Sequence, residues 1–252
     1  MAALNELLDY THRFLEVDRF NDYAPNGLQV EGEREIGLLV GGVTASQSLL
    51  DAAAEAGADA VLVHHGFFWK GESPVITGMK YRRIRRLIDA GMALIAYHLP
   101  LDAHPEVGNN ALLGRLLQLE VEGSLPPESG AELVWHGRLR TPMSVEALAA
   151  RIGEALGREP LHIEGGPETI RTIGWCSGAA QGYLPQAAAA GLDAYISGEI
   201  SEQTVHVARE LGIHYFSAGH LATERQGVQA LGGHLARVFG LEFRFLDIPN
   251  PV

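Results

Sequence analysis

Two stretches decide how this chain reads. The first runs Gly41-Gly42-Val43-Thr44-Ala45 and later Asp59-Ala60-Val61-Leu62-Val63-His64-His65. The second runs Cys176-Ser177-Gly178-Ala179-Ala180 and later Asp193-Ala194-Tyr195-Ile196-Ser197-Gly198-Glu199. Within each, a glycine-bearing segment is followed by an alanine-rich helical segment and then a short apolar run. That alternation predicts buried strands of a parallel sheet joined by crossover helices, an α/β fold. In the first copy Ile36 to Val43 reads as strand and Gln47 to Ala56 as helix, with Ser46 as its cap and Gly57 at its end. Each copy then continues through another helix, a glycine and an apolar strand to a histidine. One ends at His98 with Asp102 four residues on; the other ends at His220 with Glu224 four residues on. Aligning the copies sets His65 opposite Glu199. Alanine-rich βαβ units agree by chance, but matched polar endings argue for internal duplication.

Outward from this core, Met1 to Glu16 reads as an acidic amphipathic helix, and Asn21-Asp22-Tyr23-Ala24-Pro25-Asn26-Gly27 as a turn-rich loop. Lys80 to Ala90 reads as a helix and Ala93 to Tyr97 as a strand. Gly123 to Gly130, with Pro126-Pro127, is the clearest break in composition and the candidate boundary. Beyond it a strand is expected over Glu132 to Leu139 and a helix over Ser144 to Leu156.

Composition narrows the chemistry. The chain has 252 residues, 19 basic and 31 acidic side chains for a net charge of −12, eleven histidines and one cysteine. One cysteine excludes an intrachain disulfide and any all-thiolate zinc or iron–sulfur site. The acidic balance argues against binding nucleic acid by bulk charge. No apolar segment approaches the ~18 residues of a membrane span, and the first helix lacks the features of a signal peptide, so reducing cytosol is the expected compartment. Any metal site must be built from histidine and carboxylate.

In open α/β sheets ligands bind beyond the carboxyl ends of strands. His64, His65, His98, Glu199 and His220 all fall at such ends, with Asp102 and Glu224 one turn later. Adjacent strand residues point to opposite faces, so His64 and His65 are expected to serve two ions rather than one. Carboxylates can bridge metals roughly 3.5–4 Å apart and acidify a shared water, which makes a dinuclear hydrolytic centre a coherent use of the set. His104, near Asp102, is a candidate proton carrier. His12 and His234 read as surface residues on helices. His136, His162, His206 and His214 have no partner at metal spacing. Cys176 reads as a small buried hydrophobe. Ser177 to Gly182 reads as a tight turn between strand and helix. The five cations of Lys80-Tyr81-Arg82-Arg83-Ile84-Arg85-Arg86 read as a solvated helix face, or alternatively as a patch that steers an anionic substrate.

These residues resemble a known family. His64-His65-Gly66, Tyr97-His98-Leu99-Pro100-Leu101-Asp102-Ala103 with Gly108-Asn109-Asn110, Ser197-Gly198-Glu199 and Gly219-His220-Leu221-Ala222-Thr223-Glu224 are similar to motifs of the Nif-three-like family. Asn26-Gly27-Leu28-Gln29-Val30 and Pro249-Asn250-Pro251 fit as well. Its members are also labelled GTP cyclohydrolase I type 2 homologues or dinuclear metal-centre hexameric proteins, and the likeness is greatest to the enterobacterial type. The resemblance implies two interlocked α/β domains, here 1–122 plus 218–252 for metal binding and 123–217 for the second. It also implies a toroidal homohexamer with two divalent ions per subunit. The implied ligands are His64, His65, Asp102, His220 and Glu224, with Glu224 bridging, His98 nearby and Glu199 a site acid. One stretch departs from the family pattern: Gly66-Phe67-Phe68-Trp69-Lys70 replaces a proline and an aliphatic pair. The wall beside the metals therefore differs, and substrate identity does not carry over.

The expected activity is a metal-dependent hydrolase of a nucleotide or related heterocycle, acting through a metal-bound hydroxide with Glu199 or His104 moving protons. The alternatives are a non-catalytic metal-binding scaffold or regulator, and a phosphodiesterase for damaged nucleotides. Nitrogen and oxygen donors without thiolate suit Zn, Mn, Fe, Co or Ni.

Overall fold

The computed structural model describes residues 1–33, 35–125 and 132–252. The Pro126-Pro127 break lies outside the described residues. The chain forms two compact units, Met1–Leu101 with Gly227–Pro249, and Asp102–Gln226 with Asn250–Val252.

The first unit begins with helix α1 (Leu4–Phe14), strands β1 (Gly27–Val30) and β2 (Leu38–Thr44), helix α2 (Gln47–Glu55), strand β3 (Ala60–His65), helix α3 (Gly78–Ala90) and strand β4 (Ala93–Ala96). Helix α4 (Leu99–Ala103) carries the chain across the division. The second unit contains helix α5 (Asn109–Leu116), strands β5 (Leu119–Ser124) and β6 (Trp135–Met143), helix α6 (Val145–Leu156) and strands β7 (Leu161–Ile163) and β8 (Ile170–Trp175). Helix α7 (Leu184–Ala189), strand β9 (Ala194–Ser197), helix α8 (Glu202–Leu211) and strand β10 (His214–Ser217) complete it. Helix α9 (His220–Phe239) and strand β11 (Glu242–Phe245) lead back to the first unit.

The first sheet has the order β1-β4-β3-β2-β11. Its last four strands are parallel and β1 joins the edge antiparallel. Strands covered on both faces must be apolar throughout, and Ala60–Val63 and Ala93–Ala96 are buried along their whole length. Leu49, Leu50 and Ala53 of α2 and Ile84 and Leu87 of α3 pack against Val40, Val61, Val63 and Leu94. Each such large side chain contributes about 1.5–3 kcal/mol of burial. The Ser46 hydroxyl accepts from Leu49 N at 3.2 Å, which caps α2 as the sequence predicts.

The second sheet has the order β5-β6-β8-β9-β10-β7, with β8, β9 and β10 parallel at its centre. Trp175, Ile173, Ile196 and Phe216 fill one face with Leu148 and Ile152 of α6. Tyr195 and Tyr215 fill another with Leu184, Ala187 and Ala208.

The duplication is visible in both sheets. β2, β3 and β4 neighbour one another in sequence order, and so do β8, β9 and β10. One device recurs at matched positions. Asp59 Oδ2 accepts from Gly37 N and Leu38 N, both at 2.9 Å, and Asp193 Oδ2 accepts from Arg171 N and Thr172 N at 2.8 and 2.9 Å. Each aspartate thus ties the start of its own strand to that of the neighbour.

Some expectations shift. The sequence sets domain edges at 122/123 and 217/218, whereas the compact units divide at 101/102 and 226/227. The physical reason for the first is β5, which pairs antiparallel with β6 and takes the preceding residues with it. The expected strand over Glu132 to Leu139 runs instead from Trp135 to Met143. The first helix ends at Phe14, just before Glu16 takes a left-handed backbone at φ 51°. His12 and His234 are packed rather than surface residues. The Tyr97 hydroxyl lies 3.2 Å from His12 Nδ1, and His234 stacks on Phe14 at 4.2 Å between ring centroids.

Candidate metal centre

In the first unit, His64 and His65 end β3, and His98 follows β4 by two residues. His64 is 1% exposed and its Nδ1–H donates to the Tyr97 carbonyl at 2.9 Å. His98 donates its backbone N–H to Asn26 Oδ1 at 2.7 Å and its Nδ1–H to Asp22 Oδ1 at 2.9 Å. His65 Nδ1 lies 3.2 Å from the Thr44 hydroxyl. The His64 ring is 4.6 Å from that of His65 and 5.0 Å from that of His98. One nitrogen from each of the three lies within 4.8 Å of the others, a spacing able to hold an ion. The spacing leaves both uses of the pair open, one shared ion or two. Opposite Cβ directions still permit the shared ion, because an imidazole reaches past the end of its strand.

The loop from Asn21 to Gly27 has more to do than turn the chain. Asp22, with a side chain 3% exposed, accepts from His98, from Tyr23 N at 2.7 Å, and from Leu99 N and Asn26 Nδ2 at 2.9 Å each. Burial alone would raise its pKa, but these bonds and the neighbouring imidazole hold it at about 2. The sequence reading found the loop but not this aspartate. The available signal was two side-chain acceptors, Asp22 and Asn26, four residues apart in a loop that returns beside a strand end.

In the second unit, His220 opens α9. Its Nδ1–H donates to Glu199 Oε1 at 2.6 Å, and its Nε2 lies 3.1 Å from Glu224 Oε2 one turn on. Glu224 is 3% exposed. Burial pulls the His220 pKa down, yet Glu224 and then Glu199 outweigh it and raise it to about 9. Asp102, 7% exposed, accepts from Asn109 Nδ2 at 2.9 Å and from the Ser177 hydroxyl at 3.0 Å. Gly178 has φ +65°, and a Cβ there would sit 2.2 Å from Glu224 Oε1. The Ser177–Gly182 turn therefore serves to bring backbone against Glu224. His104 Nδ1 accepts from Glu106 N and Val107 N at 3.2 Å each, which leaves its ring proton on Nε2. The Cys176 thiol is pushed well up by burial and by the Asp102 and Glu224 charges, as suits an inert buried side chain.

Three histidines thus share one arrangement. His64, His98 and His220 each commit Nδ1–H to an oxygen acceptor, which makes Nε2 the nitrogen able to coordinate a metal; in His220 that nitrogen faces Glu224 Oε2 at 3.1 Å. Metal-binding histidines are oriented in this way. The donors are nitrogen and oxygen, and they fit a divalent ion of the zinc-to-manganese range.

Two further sets of polar side chains pair among themselves. His162 Nε2–H donates to His214 Nδ1 at 3.1 Å, and His214 Nε2–H donates to the Pro167 carbonyl at 2.9 Å, a pair that residue spacing did not reveal. On α3, Arg85 pairs with Asp89 at 3.1 Å and Arg86 with Asp51 at 2.9 Å, so the basic run is largely a solvated, acid-paired face.

Fold and donor set together define a two-sheet α/β protein with histidine–carboxylate groups able to bind metal. The chain belongs to the Duf34/NIF3 (NGG1p interacting factor 3) family, whose profile matches residues 2–251. A Pseudomonas aeruginosa protein named GTP cyclohydrolase 1 type 2 homolog is 56% identical over 249 residues, 99% of this chain and 98% of its own. The solved structure of protein ybgI, of unknown function, superposes with a TM-score of 0.94 at 49% identity, covering 98% of this chain and 99% of that one. TTHA1606 from Thermus thermophilus gives a TM-score of 0.88 at 36% identity, covering 98% and 99%. Among the described residues, no helix is long and apolar enough to cross a membrane.

Proposed function

We propose that this protein is a metal-dependent hydrolase of a nucleotide or related heterocycle, working in the cytoplasm as a toroidal homohexamer. His64 and His65 of the first unit and Asp102, His220 and Glu224 of the second would hold two divalent ions per subunit. The observation that carries this reading is the orientation of the imidazoles: His64, His98 and His220 each direct Nδ1–H to an oxygen, which turns Nε2 away from that acceptor, and His220 Nε2 faces the Glu224 carboxylate at 3.1 Å. The name borne by the Pseudomonas relative supports the substrate class.

Divalent ions, when bound, supply Lewis acidity and a water-derived nucleophile near neutral pH. The chain's own residues do the rest. Glu199 orients His220 through one carboxylate oxygen and keeps the other for proton exchange with substrate. His104, with its ring proton on Nε2, donates to a leaving group. Asp22 fixes the ring of His98 beside His64 and His65.

The test is elemental analysis of protein purified without added metal, followed by incubation with GTP, other nucleotides and phosphodiesters. Retained metal and turnover of one member support the proposal, and a phosphodiester as that member selects phosphodiesterase chemistry. Glu224→Ala should empty at least one metal position. Absence of metal, or full retention in that variant, would contradict the ligand assignment. Retained metal with every substrate unchanged would leave a binding scaffold in place of an enzyme.

A further inference from the structure

The stretch Gly66-Phe67-Phe68-Trp69-Lys70 leaves β3 directly after the histidine pair, and it builds an aromatic surface within the first unit. The Trp69 ring lies 5.2 Å from that of His98 at 88° and 5.8 Å from that of His65. Tyr23 lies 4.9 Å from His98 at 75° and 5.7 Å from Trp69. Tyr23 and Phe68 remain 51% and 37% exposed. Single exposed aromatics need no explanation. Here two rings flank one imidazole of the histidine cluster, and a third sits beside them in sequence.

The surface is also fixed in place. Gln29 Oε1 accepts from Phe67 N at 2.6 Å, Lys70 N donates to the Tyr23 carbonyl at 2.8 Å, and Glu72 N donates to the Trp69 carbonyl at 2.9 Å. Phe68 occupies the left-handed region at φ 66°, a conformation that costs of order 1 kcal/mol for a bulky residue and persists only where its surroundings enforce it. A loop whose backbone is held this way presents its partly open rings at little further entropic cost when a flat molecule stacks on them. Positive charge lies alongside. Lys70 is exposed next to Trp69, whereas Lys80 Nζ, 4.7 Å from the centroid of the Phe68 ring, is already paired with Glu72 at 3.2 Å.

The geometry points to Tyr23 and Trp69 as a stacking subsite for the planar ring of a phosphorylated heterocycle, with the ring laid beside His65 and His98 and the phosphate met by Lys70. This inference rests on the proposed hydrolase reading and supplies it with a specificity element. Aromatic stacking is indifferent to the identity of the base, so the subsite selects a flat heterocycle over a bare sugar phosphate rather than one base over another.

Calorimetric titration of the metal-loaded protein with GMP and with ribose 5-phosphate tests it. GMP should bind at least tenfold more tightly than ribose 5-phosphate. Trp69→Ala should weaken GMP about tenfold while metal content is unchanged, and Trp69→Phe should stay within about threefold of the parent. Equal affinity for the two probes overturns the inference, as does an unaltered GMP affinity in Trp69→Ala. A change of mass by light scattering in that variant, with GMP affinity unaltered, would make the surface a contact between copies instead. If Trp69→Ala does not fold, the two-probe comparison and Tyr23→Ala decide in the same way. Failure of the hydrolase reading is separable, since absent metal or absent turnover leaves the preference for GMP measurable. Retained metal and turnover with no such preference sinks the subsite alone.

Discussion

The Asp22 carboxylate receives the Nδ1–H of His98 at 2.9 Å from a side chain that is 3% exposed. Every other bond to that carboxylate also comes from its own loop or from the residue after His98. Replacing Asp22 by alanine strands a buried imidazole N–H and the Leu99 amide together. The expected loss is about 2–4 kcal/mol, a fall in thermal midpoint of roughly 5–15 °C. Asp22→Asn, which keeps an acceptor oxygen, should lie between. A thermal melt of Asp22→Ala that superposes on the parent would refute this.

Gly178→Ala should be severe for a different reason. The residue has φ +65°, and the new Cβ would fall 2.2 Å from Glu224 Oε1, so either the turn or the carboxylate must move. The expected destabilisation is about 1–3 kcal/mol, with weaker retention of metal measured by dialysis against chelator. Wild-type behaviour in both measurements would show that the turn can yield without disturbing Glu224.

Asp59 and Asp193 hold equivalent backbone pairs in the two sheets. Asp59→Ala and Asp193→Ala should each cost about 1–3 kcal/mol by urea denaturation, since each leaves two amide donors at a strand start without their acceptor. If one variant is neutral and the other costly, the two aspartates are not energetic equivalents.

The His162–His214 pair gives a pH dependence of definite sign. Burial first, and then His214, lowers the His162 pKa below its ordinary 6.5, so the folded protein prefers the ring neutral. The unfolded chain binds the proton more readily near pH 6, and this contribution to stability is complete above about pH 6.5 and is lost as pH falls below it. The urea midpoint should drop between pH 7.5 and 5.5, and drop less in His162→Gln. Parallel pH profiles for the two proteins would contradict the assignment.

Much of the fold was legible because it rests on period and punctuation. The apolar runs ending at Val63 and Tyr97, the Ser46 cap and the glycines after helices all report local physics. The histidines at strand ends were legible for the same reason, since strand ends are where α/β sheets present side chains. Asp22 was not, because its role depends on a loop folding back on His98 across 76 positions. The His162–His214 contact was hidden likewise: β7 pairs antiparallel with β10, and nothing in the spacing of 52 announces that register. The division of the compact units at 101/102 is not announced by composition, because it follows from the long-range pairing of β5 with β6.

The way the chain passes between its units has a consequence for synthesis. The first sheet lacks its β11 edge until residues Glu242–Phe245 have been made, and the second unit draws on Asn250–Val252, where the Val252 carbonyl accepts from Leu221 N. Neither unit is therefore complete while most of the polypeptide is still emerging. The β2 edge stays unpaired during that interval, so the first sheet closes only when the distant Glu242–Phe245 segment docks on it.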